Sequence, residues 1–562
     1  MIGVSVQEKE SATVQEFFEF FKTPWEFYRS GRLYDVVIST QDHRVEEGAK
    51  LVLLYSGGPM GFDADNNLSV RPGPKGAILS YNGRRVPLYA RAATFPASRF
   101  SDLREEVGQE PMGLLVSFGR TTVLRVGYDL FEEIRFLLSV GQPIEHAGTA
   151  SLELHIAAIR DLITRAGIPL VEIPPVPDGY GLMVCLTHDI DHPVLRNHCC
   201  DRTMFGFVYR ATLGSFMHVC RGRKPLKNLG RNLAAVGRLP FVYIGLAKDP
   251  WREFDRYLEI ETGLGSTYFV IPKKGYSGRG CKGANPTSRA SGYTLDDIKP
   301  ELARIISAGC EVALHGIDAW LDSASGEEER QELSSDLIST PTGVRMHWLF
   351  FDENSPKVLE RGGFSYDSSV GYNETVGFRA GTAQAYKPPG ATNLLELPLH
   401  VMDTALFFSD FLNLSDSSAR QVVWRLLEDV AQFGGVLTVN WHDRSIAPER
   451  LWDKFYMELL RELKIRGAWF PTASQAVAWF RKRRSASFGQ VEWGEDSVNL
   501  AASAKPGPGL PGLRLRVHQA RARSLLEPIA TDSKTSFVDV GFDTAVSTRI
   551  AWLGPDSHKI AC

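Results

Sequence analysis

The feature that most constrains this fold is an alternation of short apolar segments with helical segments between residues 181 and 480. The apolar segments are GLMVCLT (181–187), STYFVIP (266–272), CEVALHG (310–316), TGVRMHW (342–348) and GGVLTVNW (434–441). Helical patterns such as 295–308 and 449–465 lie between several of them. Strands that are joined by helices pair in parallel, so the pattern predicts a parallel α/β sheet or a (β/α) barrel.

The residues before this region predict a smaller α/β unit. Its strand candidates are AKLVLLYSG (49–57) and GLLVSFG (113–119), apolar runs of strand length bounded by glycine. Asp129 is a suitable N-cap for an amphipathic helix, and a second such helix is predicted around 152–163. The IPPVPDG run (173–179) interrupts regular structure and suggests a domain boundary.

The sequence pattern changes again after the basic run RKRR (481–484). LRLRVH (513–518) and SFVDVGF (536–542) alternate apolar and polar residues, as half-buried strands do. We therefore expect a small C-terminal β module and three domains in all. Their predicted bounds are 1–175 for an N-terminal α/β accessory domain, 181–480 for the barrel and 485–562 for the β module.

Composition excludes several classes of protein. The chain has 562 residues, of which 43% are hydrophobic and 23% are charged, which is ordinary for a globular protein and not for a disordered chain or coiled coil. A net charge of −3 gives no global attraction to nucleic acid, so no nucleic-acid partner is expected. The sequence contains no run of about 18 apolar residues, the length that would predict a membrane span. The acidic first segment does not resemble a signal peptide, and the odd count of seven cysteines suggests reduced thiols, so we expect a cytoplasmic location.

Polar side chains stand at the ends of several predicted strands. In LTHDIDH (186–192), Asp189 and Asp191 share a face, because alternate residues of an extended chain point the same way. The other residues at such positions are His315, Arg345, His347 and His442. Each alone has a structural explanation, such as a turn capped by aspartate or a hydrogen-bonded histidine. Together they suggest a site, because parallel sheets and barrels build sites at the carboxyl ends of their strands. One carboxylate with two imidazoles would bind Zn²⁺ and leave a position for water, which predicts metal-dependent hydrolysis.

The order and context of these motifs resemble the polysaccharide deacetylases, carbohydrate esterase family 4, which includes the chitooligosaccharide deacetylases. The resemblance covers about 181–480. LTHDIDH is similar to the first family motif, ETGLGSTYFVIP (261–272) to the second strand, VRMHW (344–348) to the third motif and GVLTVNWH (435–442) to the final motif. The segments 366–382 and 394–406 resemble those of a bacterial subgroup with an additional N-terminal domain.

The resemblance implies a distorted (β/α) barrel of about seven strands that removes an N-acetyl or O-acetyl group from a carbohydrate. The cofactor would be Zn²⁺ or another divalent transition metal. The implied roles are Asp189 as general base, Asp191 and His315 as metal ligands, Arg345 as the residue that orients the base, His442 as general acid, and Arg379 and Trp441 as substrate contacts. For Arg379 a structural ion pair is an equal alternative.

Three departures from the family pattern bear on the metal ligands. They are Asp189-Ile190-Asp191 in place of adjacent aspartates, Ala319 in place of the second histidine of H-x-x-x-H, and Arg345-Met346-His347 in place of Arg-x-Pro. We expect His347 to supply the missing ligand, because it ends a strand beside that of His315. The alternative ligands are Asp318 and His192.

Two other functions remain open at this point. Barrels of this kind also host C–N hydrolases of small cyclic amides, and the lost histidine is compatible with a catalytically inactive glycan-binding protein. The presence of both Asp189 and His442 argues against inactivity, because an inactive copy needs neither a base nor an acid.

Residues 196–240 are strongly basic and contain interspersed apolar side chains. This segment contains one acidic residue, Asp201, and nine basic residues, which are Arg196, Arg202, Arg210, Arg221, Arg223, Lys224, Lys227, Arg231 and Arg238. A solvated face is one interpretation. The other is peripheral contact with an anionic membrane at its inner face, where a lipid-linked sugar would be a suitable substrate. The sequence does not predict an oligomeric state.

Overall fold

The structure is a computed structural model that describes residues 1–42, 49–222, 224–279, 289–335, 340–494, 497–520, 525 and 537–551. The chain forms two compact units. The first contains Met1–Gly179, Ala380–Thr382 and Ala478–Cys562, and the second contains Tyr180–Arg379 and Ala383–Val477.

The strands of the described residues are numbered in chain order. They are β1 Ile2–Ser5, β2 Trp25–Phe27, β3 Val36–Ser39, β4 Leu51–Tyr55, β5 Arg71–Pro72, β6 Ile78–Tyr81, β7 Arg84–Pro87, β8 Ala93–Thr94, β9 Leu103–Glu105, β10 Gly113–Phe118, β11 Thr121–Val126, β12 Leu170–Glu172, β13 Leu182–Ile190, β14 Ser266–Val270, β15 Glu311–Gly316, β16 Gly343–Met346, β17 Tyr366–Asp367, β18 Leu395–Glu396, β19 Val401–Met402, β20 Val436–Asn440, β21 Ala468–Trp469, β22 Ser487–Trp493, β23 Ser497–Ser503, β24 Leu513–His518, β25 Phe537–Phe542 and β26 Ala545–Ala551.

The α-helices are numbered in the same way. They are α1 Ser11–Phe21, α2 Gly61–Asp65, α3 Leu130–Ser139, α4 Ser151–Arg165, α5 Arg202–Tyr209, α6 Ser215–Cys220, α7 Leu226–Tyr243, α8 Phe254–Ile260, α9 Leu295–Ser307, α10 Ser323–Ser334, α11 Ser355–Arg361, α12 Asp403–Phe407, α13 Asp416–Phe433, α14 Asp453–Ile465 and α15 Ala473–Arg484.

The second unit is built on a parallel sheet that curls into an incomplete barrel. The strand order is β18-β17-β16-β15-β14-β13-β20-β19, and β21 also pairs with β13. All of these pairs are parallel. Strand β18, at one edge of the sheet, ends at Glu396, and strand β19, at the other edge, begins at Val401. The chain between these two residues spans at most about 18 Å. The edges of a flat sheet of this size would lie about 34 Å apart, so the sheet must curl. The predicted distorted parallel barrel is confirmed, with more strands than the expected seven.

The five predicted barrel strands form β13, β14, β15, β16 and β20, all near the centre of the sheet. Every residue of β13, β14, β16 and β20 is buried, as expected for strands covered on both faces. The helix expected from residue 449 begins four residues later, at Asp453. Glu449 and Leu451 adopt positive φ angles of 77° and 51°, which a helix cannot contain.

The first unit contains a six-stranded sheet of order β10-β11-β4-β3-β1-β2. The strands predicted at 49–57 and 113–119 are its β4 and β10, and the two predicted amphipathic helices are α3 and α4. Asp129 caps α3 as expected, because its carboxylate accepts hydrogen bonds of 3.0 Å from the backbone N–H groups of Phe131 and Glu132.

Strands from the end of the chain form two further sheets in the first unit. One has the order β12-β24-β25 and the other β22-β23-β26. The β12–β24 pair joins Glu172 to Arg516 in an antiparallel ladder, so a strand from before the barrel region pairs with one from after it. The three-domain division proposed from the sequence stays a prediction. In the part of the chain that the structure describes, none of the helices combines the length and apolar character that crossing a bilayer requires.

Candidate active site

Three predicted metal ligands meet at the carboxyl ends of the central strands. Asp191 follows β13, His315 lies in β15 and His347 follows β16. His315 Nε2 is 3.3 Å and His347 Nε2 is 3.6 Å from Asp191 Oδ1. One nitrogen or oxygen atom from each of the three residues lies within 4.8 Å of the others, which is close enough to hold one metal ion. We call these three residues the Asp–His–His group.

The hydrogen bonds of this group fit a cation. His315 Nδ1 lies 3.0 Å from the backbone carbonyl of Arg345, which can only accept, so Nδ1 carries the proton and Nε2 presents a lone pair to Asp191. Among the described residues, the buried Asp191 Oδ1 has no hydrogen-bond partner. A lone pair that faces a carboxylate oxygen is repulsive unless a cation lies between them.

The pKa values in the group favour the forms that bind metals. Burial opposes the ionisation of Asp191, but the histidines around it, His347 foremost, hold its pKa well below the ordinary value. Burial lowers the pKa of His347 to about 3, so its imidazole is neutral above that pH, and the charged imidazole near Asp191 at neutral pH is that of His442. A carboxylate and neutral imidazoles are the protonation states that ligate a divalent ion.

Asp189 lies beside this group and is held on both oxygens. Arg345 Nη1 donates to Oδ1 at 2.9 Å, and Asn440 Nδ2 donates to Oδ2 at 2.7 Å. Burial favours the neutral acid, but the charge of Arg345 keeps the pKa of Asp189 below its ordinary value. Asp189 Oδ2 is also 3.8 Å from His315 Nε2, so an ionised carboxylate stands next to the group.

The Arg345 guanidinium is fully buried and fixed by groups in β13 and directly after β17. Besides Asp189, it donates to Thr187 Oγ1 at 2.7 Å, to the Ser368 carbonyl at 3.0 Å and to Ser368 Oγ at 2.9 Å. This network leaves the guanidinium little freedom, so it fixes the orientation of the Asp189 carboxylate.

His442 approaches the group after β20 and is paired with an aspartate. Its Nδ1 lies 2.6 Å from Asp403 Oδ1, and its backbone N–H donates to Asp403 Oδ2 at 2.6 Å. Burial opposes protonation, but Asp403 raises the pKa of His442 to about 9. His442 Nε2 is 3.8 Å from Asp191 Oδ2, so a charged imidazole lies beside the Asp–His–His group.

These residues open into a cavity of about 460 Å³. Its wall contains Asp189, Asp191, His315, His347 and His442. The wall also contains the aromatic rings of Trp348, Phe350, Phe408 and Phe411 and the polar side chains of Asn373, Glu374, Thr404 and Asp410. Trp348 has a positive φ of 63°, a strained conformation for a residue with a side chain, and it lies directly after His347. The cavity is therefore apolar on some walls and able to hydrogen-bond on others.

The two predicted substrate contacts lie outside the residues that line this cavity. Trp441 is 0% exposed, and its ring packs on Tyr456 with ring centroids 5.0 Å apart. Arg379 donates to the Gly371 carbonyl at 2.8 Å and lies over the Phe351 ring at 5.0 Å. The structure thus gives both residues packing contacts of their own.

The alternative ligands Asp318 and His192 also have other contacts. The Asp318 carboxylate accepts hydrogen bonds from the Tyr276 hydroxyl and from the Arg279 backbone N–H. The backbone N–H of His192 donates to Asp443 Oδ2 at 2.9 Å, and burial lowers the pKa of its imidazole well below the ordinary value. Within the described residues, neither belongs to a cluster that could hold a metal ion.

Two residues that contact the predicted base and acid, Asn440 and Asp403, were not predicted from the sequence. Asn440 shares a strand face with His442, and this alternation was a usable signal for it. Asp403 directly follows the two-residue strand β19, which is too short to give an apolar pattern. The pairing of β19 with β20 brings Asp403 beside His442, and the local sequence does not reveal that pairing.

Comparisons with known proteins found structural likeness alone. No family model matches the sequence, and no curated protein matches it. A solved structure described as a probable polysaccharide deacetylase from Pseudomonas aeruginosa is 14% identical, and the match covers 57% of this chain and 96% of that one with a TM-score of 0.33.

Two further solved structures are similar over about the same part of the chain. The Puue allantoinase is 13% identical, with 57% of this chain and 95% of that one covered and a TM-score of 0.32. A family 4 carbohydrate esterase from Streptomyces lividans, in complex with acetate, is 14% identical, with 52% and 92% covered and a TM-score of 0.23. Identities and TM-scores this low are insufficient to assign an activity to this chain.

Proposed function

We propose that this protein is a metal-dependent hydrolase that removes an acetyl group from a carbohydrate. One observation carries the proposal: an ionised carboxylate, Asp189, and a protonated imidazole, His442, each lie 3.8 Å from a member of the Asp–His–His group. All five residues line one cavity. A metal-binding group with a base and an acid beside it is the equipment that hydrolysis of an amide or ester requires.

Asp191, His315 and His347 would hold the metal. A bound divalent ion would supply Lewis-acid polarisation of the acetyl carbonyl and a lowered pKa for the attacking water. Three protein ligands leave coordination positions for water and substrate, as in catalytic zinc sites generally.

The proton transfers follow from the contacts of the two flanking residues. Asp189 accepts the proton of the attacking water, while Arg345 and Asn440 keep its carboxylate ionised and oriented. His442 donates a proton to the departing nitrogen or oxygen, and Asp403 keeps the imidazole charged until then. A nitrogen leaving group in particular requires this proton, since an amide anion is a very poor leaving group.

The cavity wall supports a saccharide substrate. Trp348, Phe350, Phe408 and Phe411 offer ring surfaces, and Asn373, Glu374 and Asp410 offer hydrogen-bonding groups for hydroxyls. Pockets that combine apolar surface with a few directed polar groups orient amphipathic ligands such as sugar rings. The motif resemblance to the polysaccharide deacetylases favours the same substrate class.

The test is acetate release from a panel of substrates by the metal-loaded protein. The panel contains N-acetylated amino-sugar oligomers, O-acetylated oligosaccharides and cyclic amides such as hydantoins. We expect acetate from at least one acetylated saccharide and release about 10² to 10⁴ times slower from the Asp189→Asn variant. The exposed Asp296→Asn variant is the matched control and is expected to retain full activity, because Asp296 is 86% exposed.

Two results would contradict the proposal. Opening of a cyclic amide without acetate release from any saccharide would identify the protein as a C–N hydrolase of small rings. Binding of the acetylated oligomers without turnover, at full metal loading, would identify it as a glycan-binding protein.

A further inference from the structure

Two helical segments in the second unit form a feature that the proposed function does not use. The first runs through α5, a π-helical turn (Arg210–Gly214) and α6, and the second is α7. They lie against each other, and the buried Asn232 Nδ2 donates to Ser215 Oγ at 3.1 Å between them. We call these two segments, with the residues up to Lys248, the helical pair.

The inner face of the helical pair is packed. Phe207 and Ala211 from the first segment and Ala235 and Leu239 from the second form one apolar cluster, together with Leu195, Trp251 and Ala447. The buried positions follow helical spacing on each segment, so a single face of each is used for packing. This cluster fixes the helical pair to the unit that contains the site.

The opposite face of the first segment is apolar and exposed. Phe205, Tyr209, Leu213 and Phe216 recur every three or four residues and are 60%, 53%, 60% and 56% exposed. Phe205 is two positions from the buried Phe207, which places it about 200° around the helix. The segment therefore carries apolar side chains on both faces, and only one of them is covered by protein.

The second segment and the residues after it, up to Lys248, also carry exposed apolar side chains. Its contributors are Leu226, Leu233, Phe241, Ile244 and Leu246. The helical pair holds half of the large apolar side chains that are exposed in the described residues of the chain. Exposed apolar surface concentrated in this way marks an interaction site.

The charge of the same surface has one sign. The sequence has no acidic residue between Asp201 and Asp249. Exposed basic residues in this interval are Arg202, Arg221, Lys227, Arg231, Arg238 and Lys248. Arg223 lies outside the described residues.

Three of the basic residues identified from the sequence have partners within the protein. The Lys224 ammonium donates to the backbone carbonyls of Arg450 and Leu451, and burial lowers its pKa to about 8. Arg210 Nη2 donates to Glu449 Oε1 at 3.2 Å. The third is Arg231, whose Nη1 lies 3.9 Å from Asp453 Oδ2 and whose side chain remains 46% exposed. The Lys224 and Arg210 contacts hold the helical pair in place.

We propose that the outward face of the helical pair docks on the surface of an anionic lipid bilayer. Exposed apolar rings and aliphatic chains enter the boundary between headgroups and acyl chains, and the basic side chains beside them reach the lipid phosphates. A second copy of this chain fits the surface poorly, because a face-to-face pair would bring the same cations together. A purely aqueous role does not explain so many exposed apolar side chains.

The test is co-sedimentation of the full-length protein with vesicles at low and high salt. The vesicles are phosphatidylcholine alone and phosphatidylcholine with added phosphatidylglycerol. We expect binding to the anionic vesicles at low salt, weaker binding at high salt because the charges are screened, and little binding to the neutral vesicles.

Two sets of variants separate the charge from the apolar surface. Combined Arg221→Glu, Lys227→Glu and Arg238→Glu changes should lower the vesicle partition coefficient at least about 10-fold. The charge-matched control changes three exposed basic residues of other helices in the same unit, Lys357→Glu, Arg461→Glu and Lys464→Glu, and should bind like wild type.

For the apolar surface we choose Leu226→Ser with Leu246→Ser, whose side chains are 71% and 76% exposed. The control is Leu33→Ser with Ile465→Ser, at 78% and 74% exposure elsewhere in the chain. The first pair should weaken binding and the control pair should not.

Absence of binding to anionic vesicles, or equal loss in test and control variants, would overturn the proposal. So would a concentration-dependent dimer in analytical ultracentrifugation that Leu226→Ser with Leu246→Ser abolishes, because a second copy would then occupy the surface. None of these variants touches the Asp–His–His group, so loss of vesicle binding and loss of acetate release are separable outcomes.

Discussion

At the scale of single residues, the contacts of Asp189 predict that a substitution there slows catalysis but leaves metal binding unchanged. An asparagine at this position keeps the size of the side chain but cannot accept a proton. We predict that Asp189→Asn lowers acetate release by about 10² to 10⁴, the usual contribution of a positioned base. The metal content of the variant should stay at the wild-type value, which also shows that it has folded. Wild-type turnover in this variant would remove Asp189 from the role of base.

A second residue-scale prediction concerns Asp403, which acts through His442. Asp403→Asn should lower kcat by about 10² with little change in KM, because the imidazole loses the charge that keeps it protonated. Since both residues serve one proton transfer, the double variant with His442→Ala should be no slower than His442→Ala alone. Additive losses would mean that Asp403 has a separate structural role.

The single residues also show which parts of the site's arrangement a sequence pattern predicts and which it does not. Asp191, His315 and His347 lie at the ends of recognisable strands, and a rule about strand ends predicts that they lie close together, as they do. Their role as metal ligands stays a prediction. Trp441 directly precedes His442, and the sequence predicts it as a substrate contact, but its side chain is in the core. A period of two identifies which residues share a face, and it does not say what covers that face.

At the scale of elements, the β12–β24 pair depends on a buried ion pair. Arg160 Nη2 donates to Glu172 Oε2 at 2.9 Å, and His518 Nε2 from β24 lies 2.9 Å from Glu172 Oε1. Burial opposes ionisation of Glu172, but the charge of Arg160 lowers its pKa far below the ordinary value. The carboxylate therefore adds stability above its unfolded-state pKa of about 4.3, and that stability is lost as the pH falls below it.

We predict that Glu172→Gln lowers the free energy of unfolding by about 3 kcal/mol at neutral pH, because a buried charge loses its partner. The difference from wild type should shrink progressively below about pH 4. Urea unfolding at several pH values measures it, with Glu132→Gln as the control, since that side chain is 51% exposed. A difference that is independent of pH would show that the charge of Glu172 contributes nothing.

Element positions were predictable where the pattern is local. Five barrel strands and helices α3, α4 and α9 follow from apolar runs, helical periodicity and a capping aspartate. The start of α14 was not predictable from the local sequence, because Glu449 has partners elsewhere in the chain. Its carboxylate accepts hydrogen bonds from Trp251 Nε1 at 3.1 Å and from Arg210 Nη2. Such contacts between distant parts of the chain override helix propensity and leave no local signal.

At the scale of the whole molecule, the curl of the sheet is what assembles the site. β19 and β20 bring Asp403 and His442 to the same carboxyl edge as Asp191, His315 and His347. The strand-and-helix pattern predicts a parallel sheet or barrel, but the strand order and the short link between the two edge strands are properties of the folded chain. For the same reason, the pairing of β12 with β24 was outside the reach of sequence patterns.

The central claim is that Asp191, His315 and His347 together bind one divalent ion. Its most direct test is the affinity for Zn²⁺, measured by competition with a chelator, followed by the metal content after dialysis. We predict one equivalent for the wild type, a loss of binding in His315→Ala and in His347→Ala, and unchanged binding in His192→Ala. A wild type that holds no divalent ion, or a His347→Ala variant with wild-type affinity, would contradict the account.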